Sequence, residues 1–401
     1  MALERSLISL FSGAGGLDIG LERAGWETVA ASDFSTDCLR TLRNSQDAEI
    51  SVDTSGDRAF LAGARLLEAD IANLRASDLR PNGASPDWRP SLLAGGPPCQ
   101  PWSSAGLQRG FEDPRGRVVE HYFRLTEELR PRFVLFENVR GLLTAVGREG
   151  KPGEALTAIL DTFASIGYAT RVALVNAADF GAAQRRVRLF VLGSIDHELP
   201  TIPEPTHSRE VGSGSGHLPW ASLGGLLATV PAPDEAEVVR PSGPRAHDLC
   251  ALQPGKGLRT PGRTEANRPG GHWGYRQDSF LADLTLPART IRAATTPDWI
   301  REPDGRLRRL TWRECVALQG FPPEWAFSGS VASRFRQIGN AVQTDVARAI
   351  GEVLLTALKS PTPPAPPTSA ALPEEFNRRI RYTEAEHRVN GPERIRVRAS
   401  V

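Results

Sequence analysis

The sequence predicts an α/β protein: a mostly parallel sheet covered on both faces by helices, followed by a smaller, loop-rich lobe. Three observations predict it. From Ser6 to Gly193, short apolar segments alternate with amphipathic segments of helical length, the pattern of strands linked by crossover helices. Glycines and acidic residues cluster where the apolar segments end, as in sheets that gather ligands at their carboxyl edge. After Gly193 the texture changes to Gly, Pro and polar residues, including "GSGSG" at Gly212–Gly216, with little helical periodicity.

Element by element, "SLISLF" (Ser6–Phe11) reads as a strand, followed by the turn "SGAGGLD" and an amphipathic helix ending on Gly25. "TVAAS" (Thr28–Ser32) is the second strand, and "STDCLRTLRN" a helix capped by Ser35 or Thr36. "RLLEADIANL" supplies a third strand ending near Asp70, and "SLLAG" (Ser91–Gly95) a short buried fourth. The helix "RVVEHYFRLTEELR" leads to the fifth, "FVLFEN" (Phe133–Asn138). "RVALVNA" and "VRLFVLG" (Val187–Gly193) read as a terminal antiparallel pair. Helical pattern returns at Thr311–Gly320 and Ala341–Leu358, before a proline-rich linker, Ser360–Pro373, which is extended by composition, and a charged tail. The segment "QDAEISVDTSGDRAFLAG", residues 46–63, reads as a surface elaboration between the second and third strands. The expected division is 1–193, 194–309, 310–359 returning to the first unit, and 360–401 as linker and tail.

With 401 residues, 40% apolar and 24% charged, the chain has the composition of a soluble globular protein. It shows neither a membrane-length apolar run nor a signal-peptide profile, so a cytoplasmic location is expected, at the nucleoid when acting. Cys38, Cys99, Cys250 and Cys315 are scattered without a CxxC pair, which argues against a disulfide framework and a thiolate zinc site; no metal is expected. Net charge is only +1, yet Arg240–Arg309 holds 13 Lys and Arg against 7 Asp and Glu, a local excess that can steer toward phosphates.

"GGPPCQPWSSAG" (Gly95–Gly106) is neither a helix interior nor a central strand, because proline fixes φ and removes a donor. A lone cysteine is ordinarily a small buried hydrophobe. With Pro98 and Pro101 flanking it at the end of a strand, Cys99 reads instead as a presented nucleophile. "FSGAGG" (Phe11–Gly16) turns a first strand into a first helix, where glycines let a ligand approach the backbone, though its spacing is not GxGxxG. Asp33 at the next strand end suits ribose hydroxyls, Phe34 can stack on adenine, and Asp70 can accept from an adenine amino group. Together they describe an adenosine pocket without a pyrophosphate. Glu137 leaves an apolar strand, either as an acid with a raised pKa or as a salt-bridge partner. In "QRRVRLF", Arg186 and Arg188 share one side of a strand, as a solvated edge or as an anion or carbonyl clamp.

The ordered set "FSGAGGLDIG", "SDF", "ADI", "GGPPCQPWSSAG", "FENV", "QRRVRLF", "RLTWRECVALQGFP" and "RQIGNAV" resembles the cytosine-C5 DNA methyltransferases of prokaryotic restriction-modification type. The resemblance runs from about Ser6 to Leu358 and leaves out a variable stretch and the ends. It implies a Rossmann-like S-adenosylmethionine-dependent methyltransferase fold, a mostly parallel seven-stranded sheet with a smaller target-recognition domain. It further implies methyl transfer from S-adenosylmethionine to C5 of a flipped cytosine in duplex DNA, leaving S-adenosylhomocysteine.

By that similarity, Phe11, Gly13, Gly15, Gly16 and Leu17 line the cofactor site, Asp33 holds the ribose and Phe34 stacks on adenine. Asp70 and Ile71 meet the adenine edge, and Asn340 and Val342 close the pocket. Cys99 would attack C6, Glu137 would hold N3 and the exocyclic amine, and Arg188 would bind O2. Arg186 would lie near a phosphate or the Glu137 carboxylate. Gln100, Ser103, Arg186 and Thr290 are the expected DNA contacts. Prolines would stiffen one side of the Cys99 loop while Gly106, Gly110 and Gly116 loosen the other for closure over an extruded base. The implied partners are double-stranded DNA, and a cognate restriction endonuclease as a genetic partner of a monomeric enzyme.

Three rival readings differ in substrate or class. A tRNA methylase shares the fold, but the large Gly/Arg-rich lobe suits a duplex better. A relative that binds DNA without catalysis conflicts with the intact Cys99, Glu137, Arg186 and Arg188. A nicotinamide dehydrogenase lacks its GxGxxG.

Overall fold

The computed structural model describes residues 5–52, 58–98, 117–147, 150–210, 216–259, 275–360 and 372–390. Cys99, Gln100 and Ser103 lie outside the described residues. Seven strands form the central sheet: β1 (Ser6–Leu10), β2 (Glu27–Asp33), β3 (Arg65–Glu68), β4 (Leu92–Gly95), β5 (Phe133–Val139), β6 (Ala169–Asn176) and β7 (Val187–Ser194). Their order is β3-β2-β1-β4-β5-β7-β6, and β7 alone runs antiparallel to its neighbours. The expected antiparallel pair is present, but its second member slots between β5 and β6 instead of extending the edge. That insertion is what brings the arginine-bearing strand beside Glu137.

Strand order reverses between β1 and β4, so the loops leaving these neighbours diverge and open a crevice at the carboxyl edge. All residues of β1 and β4 are buried, as expected of strands covered on both faces. One face carries α3 (Ala76–Leu79), α4 (Arg117–Leu129) and α5 (Glu154–Ser165), through Leu79, Tyr122, Phe123 and Phe163. The other carries α1 (Gly16–Ala24) and α8 (Thr344–Leu358), through Leu17, Leu21, Ile350 and Leu354. α2 (Thr36–Asp47) begins at Ser35, whose hydroxyl accepts from Cys38 N at 3.5 Å.

α1 and α8 pack closely because glycines line their seam. A Cβ on Gly16 would fall 2.5 Å from the Val342 carbonyl, and one on Gly20 would collide with the Thr344 carbonyl and Ala347. Trp26 Nε1 ties the seam by donating to the Gly351 carbonyl at 3.0 Å. Two further helices, α6 (Trp312–Leu318) and α7 (Val331–Asn340), precede α8. α6 starts with a reciprocal cap between Thr311 and Glu314, and α8 starts at Thr344, three residues later than the apolar pattern indicates.

Residues 194–309 form short elements, including the hairpin of Trp299–Arg301 with Leu307–Arg309 and the helix Leu223–Leu227. Leu249, Leu281, Trp299 and Leu307 make a small apolar cluster there. Leu223, Ala282, Ala288, Ile291 and Ile300 instead share a core with Trp312, Phe321 and Trp325.

Two sequence expectations need correction. The 46–63 segment is not a surface elaboration: Val52, Phe60 and Leu61 are buried, Phe60 meets Trp325 edge-on at 5.6 Å, and Arg58 donates to the Glu22 and Trp26 carbonyls. The charged tail contains α9 (Glu374–Asn390), whose Phe376 is buried in the main core. In both places a few apolar side chains outweigh a polar composition.

Candidate active site

β5 ends its buried run on Glu137 and Asn138. In the antiparallel register Arg188 faces Val139, two residues along from Glu137, so Glu137 and Arg188 share one face of the sheet. Arg188 Nε lies 3.2 Å from Glu137 Oε1, with both side chains mostly buried. Burial raises the Glu137 pKa above the usual carboxylate range, while Arg188 and then Arg186 pull it down. The result is a carboxyl group able to hold a proton, next to a guanidinium fixed for a carbonyl.

The strand leading to the prolines is built around this carboxyl. A Cβ on Gly96 would lie 2.8 Å from Glu137 Oε2, so a side chain there would force the carboxyl or the strand to shift. Asn138 Nδ2 donates to the Pro97 carbonyl at 3.2 Å and pins the same stretch. The chain thus runs past Glu137 within three residues of Cys99.

Of the two places expected for Arg186, beside a phosphate or near the Glu137 carboxylate, burial excludes the first. Arg186 is 1% exposed, and its guanidinium donates to the carbonyls of Ile291, Gly339 and Ala341 at 3.0, 2.7 and 2.7 Å. A DNA phosphate has no access to it, although its charge does act on Glu137. Gln184 works beside it, accepting from Ile291 N and donating to the Leu318 carbonyl. Thr290 donates its hydroxyl to the Arg185 carbonyl at 2.8 Å, at the entry to β7. The alternation of "QRRVRLF" shows which side an arginine faces, but not how deep it sits.

A second constellation forms at the ends of β1, β2 and β3. Asp33 Oδ2 accepts from Gly13 N at 2.9 Å and Oδ1 from Ser35 N at 2.8 Å, which leaves each oxygen a further lone pair. Burial raises its pKa against those hydrogen bonds. Phe34 is 73% exposed, a bare aromatic ring beside the fixed carboxylate. Ala69 N donates to the Asp33 carbonyl at 3.1 Å, which brings exposed Asp70 and buried Ile71 to the same edge.

Phe11 and Gly13 both have left-handed φ, 57° and 56°, and a Cβ on Gly13 would meet nothing within 4 Å. Gly15 and Gly16 face inward instead, against Trp325 and Val342, and Leu17 is buried in the sheet core. α1 has no side-chain cap, so its first N–H groups suit a carboxylate. Val342 packs behind Gly16 and Asn340 is exposed at the end of α7. A carboxylate with free lone pairs, an exposed ring, an open glycine turn and an uncapped helix fit S-adenosylmethionine: two ribose hydroxyls, an adenine and an amino-acid carboxylate. Sequence reasoning missed Gly96, Asn138 and Trp325; Trp325 Nε1 holds the glycine turn through the Ala14 carbonyl at 2.8 Å.

A family model described as C-5 cytosine-specific DNA methylase matches residues 5–212 and 260–356. The chain belongs to that family. Its break falls inside the loop-rich stretch. Type II methyltransferase M.FnuDI of Fusobacterium nucleatum is 28% identical over 368 residues, covering 86% of this chain and 93% of the relative. Type II methyltransferase M.SacI of Streptomyces achromogenes is 30% identical over 380 residues, covering 88% and 94%. Among solved structures, a putative DNA modification methyltransferase encoded within an E. coli prophage has a TM-score of 0.60 at 22% identity, over 88% of this chain and 99% of that one. The S. pombe Dnmt2 methyltransferase gives 0.58 at 16%, over 88% and 98%. At such identities the likeness shows the fold, an α/β methyltransferase fold. The methylase is thus a DNA cytosine-C5 methyltransferase, a class that uses S-adenosylmethionine as methyl donor.

Proposed function

We propose that this methylase is the modification component of a Type II restriction-modification pair, acting on cytosine within one duplex sequence. The buried Glu137–Arg188 pair beside Gly96 carries the catalytic half of this reading. Cys99, extended from the Gly96–Pro98 stretch, adds as thiolate to C6 of an extruded cytosine. Among the described thiols, burial pushes Cys38 up to about 12 and Cys315 well above its ordinary value, so neither competes as a nucleophile. Glu137 hydrogen-bonds N3 and the exocyclic amine and offsets charge developing on the ring, while Arg188 holds O2. S-adenosylmethionine held in the cofactor pocket would supply an electrophilic sulfonium methyl for the enamine-like C5, with S-adenosylhomocysteine as the leaving group. Loss of the C5 proton to a base and elimination of the thiolate then restore the ring.

Asp33, Phe34, Asp70, Ile71 and the Phe11–Leu17 turn hold the adenosine and methionine ends, with Asn340 and Val342 closing over them. Residues 194–309 form the unit that chooses the sequence, with Gln100, Ser103 and Thr290 near the DNA. The enzyme acts as a cytoplasmic monomer, and no helix among the described residues is long and apolar enough to cross a membrane.

Labelled methyl transfer, offered duplex DNA, tRNA or neither, tests the substrate class; incorporation into tRNA alone overturns the reading. A duplex carrying 5-fluorocytosine at the target tests the chemistry, because fluorine cannot leave C5 as a cation. The expected result is a covalent adduct that needs S-adenosylmethionine and is absent from Cys99→Ala. An adduct persisting in that variant ends the mechanism.

A further inference from the structure

The family match ends at residue 356, yet the chain returns to the catalytic sheet beyond it. Phe376 and Ile380, four residues apart, share one face of α9. Phe376 is buried with Leu142, Leu143 and Ala155, and Ile380 seats over Gly153, where a Cβ would lie 2.8 Å from its Cδ1. Gly153 has φ 86°, so backbone and packing both exclude a side chain at this socket. The helix rests on the 3-10 turn Arg140–Thr144, which directly follows β5 and begins three residues after Glu137.

This docking places Arg379, next to Ile380, on the helix that packs against the turn bearing Arg140. Both are exposed, and neither guanidinium has an ion pair or hydrogen bond among the described residues. On the same helix Arg381 pairs with Glu374. The two charges act on each other, since the Arg140 pKa is lowered first by burial and then by Arg379. Two arginines on packed elements, each without a partner among the described residues, suit an anion that two guanidiniums can share. The turn also sits on the sheet edge that presents Glu137, where the duplex must lie if the base is to reach that carboxyl.

We propose that α9 and the turn after β5 form a DNA-backbone clamp, Arg379 and Arg140 together holding a phosphate of the duplex that flanks the target cytosine. It rests on the duplex-methylating function proposed above. A phosphate contact positions without reading sequence, so it strengthens target and non-target binding alike.

The test uses the full chain, with affinity for a target and a non-target duplex measured across salt concentrations. Arg379→Ala and Arg140→Ala should each lower the slope of log affinity against log salt by about 1 and weaken both duplexes by the same factor. Cofactor affinity and melting temperature should stay unchanged, because Phe376 and Ile380 keep α9 docked. Arg379→Lys, which keeps the charge, should retain the slope. An unaltered slope in both alanine variants, or a lysine variant as weak as the alanine one, overturns the clamp. Wild-type methyl incorporation into duplex DNA is read in parallel. Its absence would sink the functional reading; its presence with an unaltered slope sinks only the clamp.

Discussion

Two residues carry information that only three dimensions reveal. Gly96 looks like part of a generic glycine-proline turn, and nothing in "GGPPCQ" says which glycine matters or why. Its missing Cβ is the space that Glu137 Oε2 occupies, so the motif before Cys99 and the acid on β5 are fitted to each other. Gly96→Ala should push the carboxyl or the strand by several tenths of an ångström or more. Misplacement on the ångström scale can lower rates by about 10²-fold, so single-turnover methyl transfer should fall steeply while the melting temperature moves little. A full-rate alanine variant would break the link. Asp18 is the second. It is fully buried on α1, neither carboxylate oxygen has a well-formed hydrogen bond among the described residues, and burial raises its pKa to about 6, with Ser9 nearby lowering it slightly. A raised acid binds its proton more tightly in the native state than in the unfolded chain. Stability from this group is therefore fullest below its unfolded value of 3.8 and declines as pH climbs through about 6. Asp18→Asn should remove that decline, so the variant gains relative to wild type by about 3 kcal/mol between low pH and pH 8. Denaturant unfolding at several pH values reads the slope; parallel curves for the two proteins would refute it.

At the level of elements, legibility followed the number of residues carrying each signal. Strands β1, β2, β4 and β5 are each built around several buried apolar residues in a row or nearly so, and Ser35 and Gly25 mark helix ends that the structure reproduces. β3 ends at Glu68, two residues before Asp70, because the chain turns as soon as its pairing with β2 is complete. α9 was illegible because few of its described residues, Phe376 and Ile380 among them, mark the docked face within a charged segment. Arg188 beside Glu137 was legible as a motif, whereas the strand order that makes them neighbours was not. The seam of α1 and α8 shows how propensity and packing can oppose each other. Alanine is the better helix former by about 1 kcal/mol, so Gly20→Ala taken alone should stabilise α1. Here the new methyl meets the Thr344 carbonyl and Ala347, groups that cannot swing aside. Overpacking costs about 1–3 kcal/mol, and the net change should be a loss of stability. A variant that melts higher than wild type would show that the seam can open freely.

Across the whole molecule, the Glu137–Arg188 pair, the segment proposed to close over the cofactor and the stretch proposed to choose the sequence lie far apart in the chain, and Arg186 bridges between them. Arg186 enters β7 two residues before Arg188 and bonds the carbonyl of Ile291, from the stretch after Thr290, and those of Gly339 and Ala341, which flank Asn340. Ile291 N is held by Gln184 from the same strand entry, and Gln319 Nε2 reaches the Ile338 carbonyl at 2.6 Å. These contacts make the stretch proposed for recognition and the segment proposed to close over the cofactor two sides of one buried polar junction, not independent attachments. Arg186→Met keeps much of the volume but removes the side-chain donor of the Ile291 and Gly339 carbonyls, each worth about 1–3 kcal/mol. It leaves the Ala341 carbonyl with Gln319 Nε2 alone as side-chain donor. If the junction positions both sites, the variant should bind S-adenosylmethionine more weakly and discriminate less between target and non-target duplex. Arg188→Met should instead lower the methyl-transfer rate with cofactor affinity intact, since Arg188 faces Glu137 and not the junction. Calorimetry with the cofactor and competition between the two duplexes separate these outcomes. Should Arg186→Met lose stability while both affinities hold, the arginine would be a packing element, and the coupling between the two sites would have to run elsewhere.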